Sequence, residues 1–202
     1  MDARQKILVA AEKLFAEHGF EGTSTRTLSQ EAGVNLAMIS YYFGSKEDLY
    51  KTLVTERTAP FRDAIESFVS LETTAWQKME LIIDGYVDRM FESSSLHKII
   101  YRELSMDNSP IYEIIVNHIS KNMQNVRRII EMGIESGEFK PDVESQLVMP
   151  TITGTIVQVI KSPTLSISLL GLDPKTNSIF DEKHKNHLKK YLKSLIKSYL
   201  LN

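Results

Sequence analysis

The sequence lacks several features that would assign it to other classes of protein. None of its 202 residues is cysteine, which excludes disulfide bonds and thiolate metal sites. Its first residues show neither the layout of a signal peptide nor a cleavage site, and no apolar run approaches the roughly 18 residues of a membrane span. We therefore expect a cytoplasmic protein that makes no contact with membranes.

Motifs of common enzyme and metal sites are also missing. The sequence contains no P-loop, no GxGxxG after a strand, no GxSxG and no HExxH. His184 and His187 stand three residues apart, but no carboxylate-rich or cysteine set completes a metal site with them. We expect no enzymatic activity, no cofactor and no metal.

An excess of positive charge is missing as well. The chain carries 24 Lys and Arg against 26 Asp and Glu, and acidic residues outnumber basic ones within residues 1–50. Domains that bind nucleic acid usually carry an excess of positive charge. DNA binding by this chain would therefore depend on a few placed side chains, helix N-termini and hydroxyl groups.

Apolar residues recur with helical spacing along the whole chain, and signals for strands are almost absent. We predict an all-α fold, with a helix-turn-helix domain in residues 1–50 and a larger helical domain in residues 51–202. Pro60 is expected to kink or break the fourth helix. The predicted helices cover residues 3–18, 25–32, 36–43, 46–60, 75–91, 96–105, 110–135, 143–161, 165–170 and 181–201.

The ends of the first three helices are marked by capping residues. Asp2, Ser24 and Asn35 stand where N-caps are expected, because their side chains can accept hydrogen bonds from free amides of the first turn. Gly19 and Gly33 stand where the first two helices should end, since glycine readily adopts a positive φ.

The segment Thr23–Lys46 has the pattern of two short helices joined by a tight turn, a structure that fits the major groove of DNA. Leu28 and Ala32 are four residues apart on one helix, and Ile39 and Phe43 are four apart on the next. Together with Val34 in the turn, these side chains have the spacing needed to hold two crossed helices together.

With those residues turned inward, the third helix presents an apolar and aromatic face. Such a face is unusual in water, but it suits a DNA groove, where thymine methyl groups and phosphates are available. In the alternative interpretation, its two tyrosines pack against the first helix and the larger domain. The residues of this face are Leu36, Ala37, Met38, Ser40, Tyr41 and Tyr42.

Four motifs resemble the DNA-binding domain of TetR/AcrR-type transcriptional repressors. They are His18–Phe20 after the first helix, the Thr-rich stretch Gly22–Arg26, the turn Gly33-Val34 and the aromatic signature Tyr41–Glu47. The resemblance covers about residues 3–55. One departure is that the family pattern usually has tyrosine at the position of Ser40, and another is the apolar start of the third helix.

The resemblance implies a set of DNA contacts. The first two residues of the second helix approach the DNA backbone and a base edge, the start of the third helix faces the groove floor, and its later residues flank the groove. Lys46 contacts a phosphate at a helix N-terminus, with a solvated surface lysine as the alternative. The implied residues are Thr25, Arg26, Leu36, Ala37, Met38, Ser40, Tyr41, Tyr42 and Lys46.

The resemblance also implies that the larger domain holds a pocket for a small effector. Methionine and aromatic side chains suit a cavity that adapts to varied apolar ligands. For each of these residues the alternative is ordinary core. The candidates are Trp76, Met79, Tyr86, Met90, Tyr101, Tyr112 and Met123, together with Phe91, Met106 and Met149.

A homodimer is expected because helix-turn-helix proteins usually span two half-sites about 34–36 Å apart. The resemblance implies that the last two long helices form a four-helix interface with their copies in the partner. The helix at 143–161 fits that role, since Leu147, Thr151, Gly154, Thr155 and Gln158 allow close approach. The final helix carries an apolar stripe that is a second candidate interface, and the alternative is that this stripe packs within the chain. The lysines of the same helix are interpreted as a solvated face. That apolar stripe consists of Leu188, Leu192, Leu195, Ile196 and Tyr199.

The sequence therefore predicts a DNA-binding transcriptional regulator, a repressor released from a pseudo-palindromic DNA operator by a small, largely apolar effector. The alternatives are an architectural or ligand-independent DNA-binding protein, and an enzyme whose pocket lies in a helical fold. The residues name neither the operator nor the effector.

Overall fold

A computed structural model of the chain describes residues 1–92, 94–106 and 109–201. Over these residues the chain forms ten helices, and its only extended pairing is an isolated bridge between Phe139 and Leu201. The predicted all-α fold is confirmed. The helices are α1 Ala3–His18, α2 Thr25–Ala32, α3 Ala37–Phe43, α4 Lys46–Val69, α5 Ala75–Glu92, α6 Ser94–Leu104, α7 Tyr112–Glu135, α8 Ser145–Lys161, α9 Pro163–Leu169 and α10 Glu182–Leu200.

The predicted caps around α2 and α3 are confirmed by their hydrogen bonds. The hydroxyl of Ser24 accepts from the backbone N–H of Thr27 at 3.0 Å, and Gly33 ends α2 in the left-handed conformation with φ 63°. The side-chain oxygen of Asn35 accepts from the N–H of Ala37 at 2.9 Å. Local side-chain chemistry therefore determines this turn.

The expected break at Pro60 is wrong, because α4 continues through it to Val69. A proline inside a helix removes one backbone hydrogen bond, which leaves the carbonyl of Glu56 without its amide partner. Both residues are exposed, so water can meet that carbonyl. Four helix starts were also misplaced by two residues: α6 begins at Ser94, α7 at Tyr112 and α8 at Ser145. The fourth, α9, begins at Pro163, whose missing N–H has no helical partner in a first turn.

The chain folds into two compact units, each discontinuous in sequence. The first contains Met1–Arg62 and Ser93–Ser120, and the second contains Asp63–Glu92 and Lys121–Asn202. These units differ from a single cut at residue 50, because α6 and the beginning of α7 pack with the N-terminal helices. The assignment of separate functions to residues 1–50 and 51–202 stays a prediction.

The core of the first unit holds the helix-turn-helix together. Of the five side chains predicted to join the two crossed helices, four are buried. The fifth, Val34, is half-buried and packs against the same cluster. Aromatic rings lie at the end of α1, where the Phe15 and Tyr50 centroids are 4.4 Å apart and Phe20 stacks on Tyr50 at 5.3 Å. Ile99 of α6 and Ile115 of α7 belong to the same buried cluster.

In the second unit, α10 packs against α5 and α8. Leu188, Leu192 and Ile196 are buried there, so intrachain packing accounts for most of the apolar stripe on α10. Tyr199, by contrast, is 41% exposed. Within the portion of the chain that the structure describes, no helix combines the length and apolarity that crossing a membrane requires.

Candidate nucleic-acid interface

The exposed face of α3 is apolar and aromatic, which distinguishes it from an ordinary solvated surface. Tyr41 is 81% exposed and Tyr42 is 37% exposed, and their rings meet edge to face with centroids 5.0 Å apart. Leu36, just before α3, is 49% exposed. The exposure of Tyr41 contradicts the alternative in which it packs against α1, and it leaves the ring available to a partner.

Not every predicted residue of this face is equally available. Ala37 and Ser40 are exposed, whereas Met38 is half-buried and packs against the core of the first unit. Met38 therefore contributes to holding α3 in place, and the side chains that extend farthest from the helix are the two tyrosines and Leu36.

The N-terminus of α2 is a second potential contact. Arg26 and Thr27 are exposed and Thr25 is half-buried. The hydroxyl of Ser24 lies 2.8 Å from that of Thr27 as well as capping the helix. Free amides in the first turn and the positive end of the helix dipole favour an anion such as a DNA phosphate at this position.

Lys46 has more partners than a solvated surface lysine would have. Its ammonium donates hydrogen bonds to the carbonyl oxygens of Phe20 at 2.9 Å and Thr23 at 3.1 Å, and it lies 4.0 Å from the centroid of the Phe20 ring. An ammonium has three donors, so one remains for a phosphate. The lysine therefore holds the loop between α1 and α2 and can still contact DNA.

Three further cations of this unit are paired with carboxylates. The pairs connect separate helices or distant turns, which limits how much positive charge remains for DNA. Contact with DNA must then rely on hydroxyl groups, helix N-termini, Arg26 and Lys46. The pairs are Arg4 with Glu56, Lys13 with Glu31 at 2.7 Å, and Arg57 with Glu12 at 2.7 Å.

One contact of this region was not predicted from the sequence. Arg102 of α6 donates hydrogen bonds to the carbonyl oxygens of Phe15 at 2.8 Å and Ala16 at 3.0 Å, at the end of α1. More than 80 residues separate these partners in the chain, so no local pattern could have shown their contact.

Comparison with known proteins decides the family. The family model described as "Bacterial regulatory proteins, tetR family" matches residues 7–53, and that described as "Tetracyclin repressor-like, C-terminal domain" matches residues 72–161. A Bacillus subtilis protein named "Probable HTH-type transcriptional regulator YttP" is 32% identical over 142 residues, which are 69% of this chain and 68% of that protein. The chain belongs to the tetR family of bacterial regulatory proteins.

Two further proteins are similar over most of this tetR-family chain. The fatty acid metabolism regulator protein of Bacillus subtilis is 27% identical over 177 residues, which are 87% of this chain and 91% of that protein. The crystal structure of FadR from Bacillus subtilis in complex with stearoyl-CoA has a TM-score of 0.69 and 24% identity, and the match covers 94% of this chain and 97% of FadR. The predicted family and the predicted function, a ligand-responsive DNA-binding repressor, are confirmed.

The candidate effector residues of this tetR-family regulator do not form a single group. Trp76, Met79 and Met90 are buried on α5, and the hydroxyl of Tyr86 on the same helix accepts a hydrogen bond from the side-chain amide of Asn122 at 3.4 Å. These α5 residues belong to the second unit.

The remaining candidates are divided between the two units, with Phe91, Met123 and Met149 in the second. Tyr101 and Tyr112 belong to the first unit, and burial raises the pKa of Tyr101. Exposure is 43% for Tyr112, 39% for Met123 and 46% for Met106, so these side chains are partly in solvent. Phe91 is half-buried against Phe180, and Met149 is buried. An effector role for any of them stays a prediction.

His184 has a structural explanation that requires no metal. Its Nδ1 lies 2.7 Å from the carboxylate of Asp181, the N-cap of α10, and its ring is buried. No cluster of three or more potential metal ligands occurs among the residues that the structure describes.

Proposed function

We propose that this tetR-family protein binds a pseudo-palindromic operator as a homodimer in the cytoplasm and that a long-chain acyl-CoA thioester releases it. DNA binding is proposed because α3 exposes two tyrosines on one face while its opposite face is packed in a buried core. Tyrosine hydroxyls and the N-terminus of α2 would contact phosphates, and Leu36 and Ala37 would contact thymine methyl groups.

The outer face of α8 supports the homodimer. Leu147 is 57% exposed, Thr151, Gly154 and Gln158 are exposed as well, and none of these four side chains is charged. A methyl group built on Gly154 would meet nothing within 4 Å. Glycine inside a helix costs about 1 kcal/mol relative to alanine. Because no neighbour within the chain requires a glycine there, close approach of a second copy is the explanation we favour.

Relatives and composition support an acyl-CoA effector. The Bacillus subtilis regulator of fatty acid metabolism is similar along most of its length, and the FadR structure holds stearoyl-CoA. The buried methionine and aromatic residues of α5 give the second unit side chains that can repack around an acyl chain. Coupling between two sites in regulators typically amounts to about 1–3 kcal/mol, which corresponds to a 5–150-fold change in affinity.

The experiment is selection of genomic DNA fragments by the purified protein, followed by competition with defined ligands. We expect recovery of inverted repeats, and release of the bound fragment by stearoyl-CoA. Stearate alone and coenzyme A alone are the matched controls, since each carries one half of the thioester.

Each result bears on a different part of the proposal. Failure to enrich any sequence would contradict operator binding. Enrichment without release by stearoyl-CoA would contradict the effector and favour ligand-independent binding, and release by stearate at the same concentration would show that the CoA part is not recognised.

A further inference from the structure

Two cations from different helices hold the loop that leads into α2. Lys46 of α4 binds the carbonyl oxygens of Phe20 and Thr23 inside this loop. Arg102 of α6 binds the carbonyl oxygens of Phe15 and Ala16 just before it. Lys46 is itself one of the predicted DNA contacts, whereas Arg102 lies more than 50 residues beyond the last of them in the sequence.

The contact of Arg102 is favoured by its position at a helix end. The last carbonyls of a helix have no amide partner within it, and they form the negative end of the helix dipole. The Phe15 carbonyl also accepts from the backbone N–H of Gly19 at 3.0 Å, and its second lone pair is available to a cation. A guanidinium can satisfy two of them at once with parallel N–H donors. Here its two terminal nitrogens lie 2.8 Å and 3.0 Å from consecutive carbonyl oxygens.

Gly19 provides the space that this guanidinium occupies. A methyl group built on Gly19 would lie 3.2 Å from Nη1 of Arg102, which is closer than nearly all real contacts of this kind. The φ of Gly19 is +75°, a conformation that residues with a side chain rarely adopt. The glycine at the end of α1 therefore ends the helix and admits the side chain of α6.

The position of the loop determines the position of the start of α2. Thr23 is buried, and its hydroxyl donates to the carbonyl of Gly19 at 2.8 Å. The next residue, Ser24, is the N-cap of α2, and Thr25 and Arg26 follow at once. Because the segment is short and bonded at both ends, a shift of the α1 terminus moves the predicted phosphate-binding residues with it.

We infer that Arg102 is a positioning residue for DNA binding: by fixing the end of α1, it sets the place of the α2 N-terminus without touching DNA itself. The inference rests on the proposed operator binding. It makes α6 a part of the DNA-binding unit, although α6 lies outside the segment that carries the helix-turn-helix motif.

The test uses the full-length protein and the operator fragment that the wild-type protein selects. Operator affinity of Arg102→Met and of Arg102→Lys is measured over a range of salt concentrations, at a temperature where circular dichroism shows each variant to be folded. Arg128→Met, at an exposed position of α7, is the matched control for loss of one positive charge.

We expect Arg102→Met to bind operator about tenfold more weakly, since a charged hydrogen-bonding group is lost. Its dependence on salt should match that of the wild type, because no phosphate contact is removed. The operator affinity of Arg102→Lys, whose side chain has a single cationic centre, should lie between those of the wild type and Arg102→Met. Arg102→Lys serves as the test if Arg102→Met does not fold.

Three results would overturn the inference. If Arg102→Met binds operator with unchanged affinity, Arg102 contributes to stability alone. If the salt slope of Arg102→Met is smaller by about one, Arg102 contacts a phosphate directly. An equal loss in Arg128→Met would attribute the effect to net charge. If the wild-type protein selects no operator, the proposed function fails instead, so the two failures are distinguishable.

Discussion

The ammonium of Lys46 lies over the ring of Phe20, 4.0 Å from its centroid, and is bonded to the carbonyl oxygen of the same residue at 2.9 Å. The lysine therefore has two functions that are separable by experiment: it stabilises the loop between α1 and α2, and it can offer its remaining donor to a phosphate.

Replacement of Lys46 by methionine should affect stability and DNA binding together. Loss of two charged hydrogen bonds is expected to lower the free energy of unfolding by about 1–3 kcal/mol, as measured by urea denaturation. Operator binding should weaken, with a salt slope smaller by about one. Lys51→Met is the control, because Lys51 forms an exposed i, i+4 pair with Glu47 on the same helix. An unchanged salt slope would show that Lys46 has only the structural function.

Unlike replacement of Lys46, replacement of the two tyrosines of α3 should weaken DNA binding without a comparable loss of stability. Combined Tyr41→Ala and Tyr42→Ala substitution is expected to weaken operator binding at least about tenfold, which is ~1.4 kcal/mol. The melting temperature should fall only modestly, because Tyr41 is mostly in solvent and Tyr42 is 37% exposed. The pair of phenylalanine substitutions tests the hydroxyls: affinity near that of the wild type would mean that ring packing, not phosphate contact, is what DNA requires.

Gly133 should tolerate no side chain. A methyl group there would overlap the ring of Phe139, whose backbone N–H donates to the Gly133 carbonyl at 2.9 Å. We expect Gly133→Ala to cost about 1–3 kcal/mol of stability. In a Phe139→Ala background the same substitution should cost much less, since the ring is gone. Equal costs in both backgrounds would show that the overlap is relieved in another way.

The proposed dimer can be tested at Gly154. Gly154→Arg places a large charged side chain on the uncharged outer face of α8, and sedimentation should then show a monomer at micromolar concentration. Gln124→Arg, at an exposed position of α7, is the control and should stay a dimer. A monomeric wild-type protein would contradict the proposal directly, and a dimeric Gly154→Arg would place the interface elsewhere.

Asp181, the N-cap of α10, should make the free energy of unfolding depend on pH in the acidic range. The backbone N–H of His184 donates to the carboxylate of Asp181, and this hydrogen bond holds the pKa of Asp181 below its ordinary value of 3.8. A carboxyl whose pKa is lower in the folded protein stabilises the fold above its unfolded pKa. That stabilisation is lost as the pH falls through the folded pKa.

Urea denaturation from pH 5 down to about pH 2.5 checks this expectation. Asp181→Asn keeps an N-cap but has no group that titrates, so its stability should fall less steeply than that of the wild type over this range. Parallel curves for the two proteins would mean that other carboxyl groups account for the acid dependence.

The sequence predicted best those structural features that depend only on residues close together in the chain. Ser24, Gly33 and Asn35 mark helix ends because their own side chains or backbone conformations satisfy nearby amides. The apolar stripe of α10 was ambiguous, since periodicity identifies a buried face but not the helix that covers it.

The partners of Lys46 and Arg102 were unpredictable for the same reason. They are carbonyl groups, which every residue carries, and they become targets only when folding brings a helix end to the cation. The roles of the candidate effector residues also depend on tertiary packing, so the presence of methionine and aromatic side chains could not separate a pocket from a core.

The composition of the first unit has a consequence for synthesis of the protein on the ribosome. Its core includes Ile99, Ile111 and Ile115, and its α1 terminus is bonded to Arg102. A nascent chain that has emerged only as far as α4 therefore lacks part of the packing that completes this unit. Competence to bind an operator should arise only after more than half of the chain has been translated, so prematurely terminated fragments should not occupy the operator of the full-length repressor.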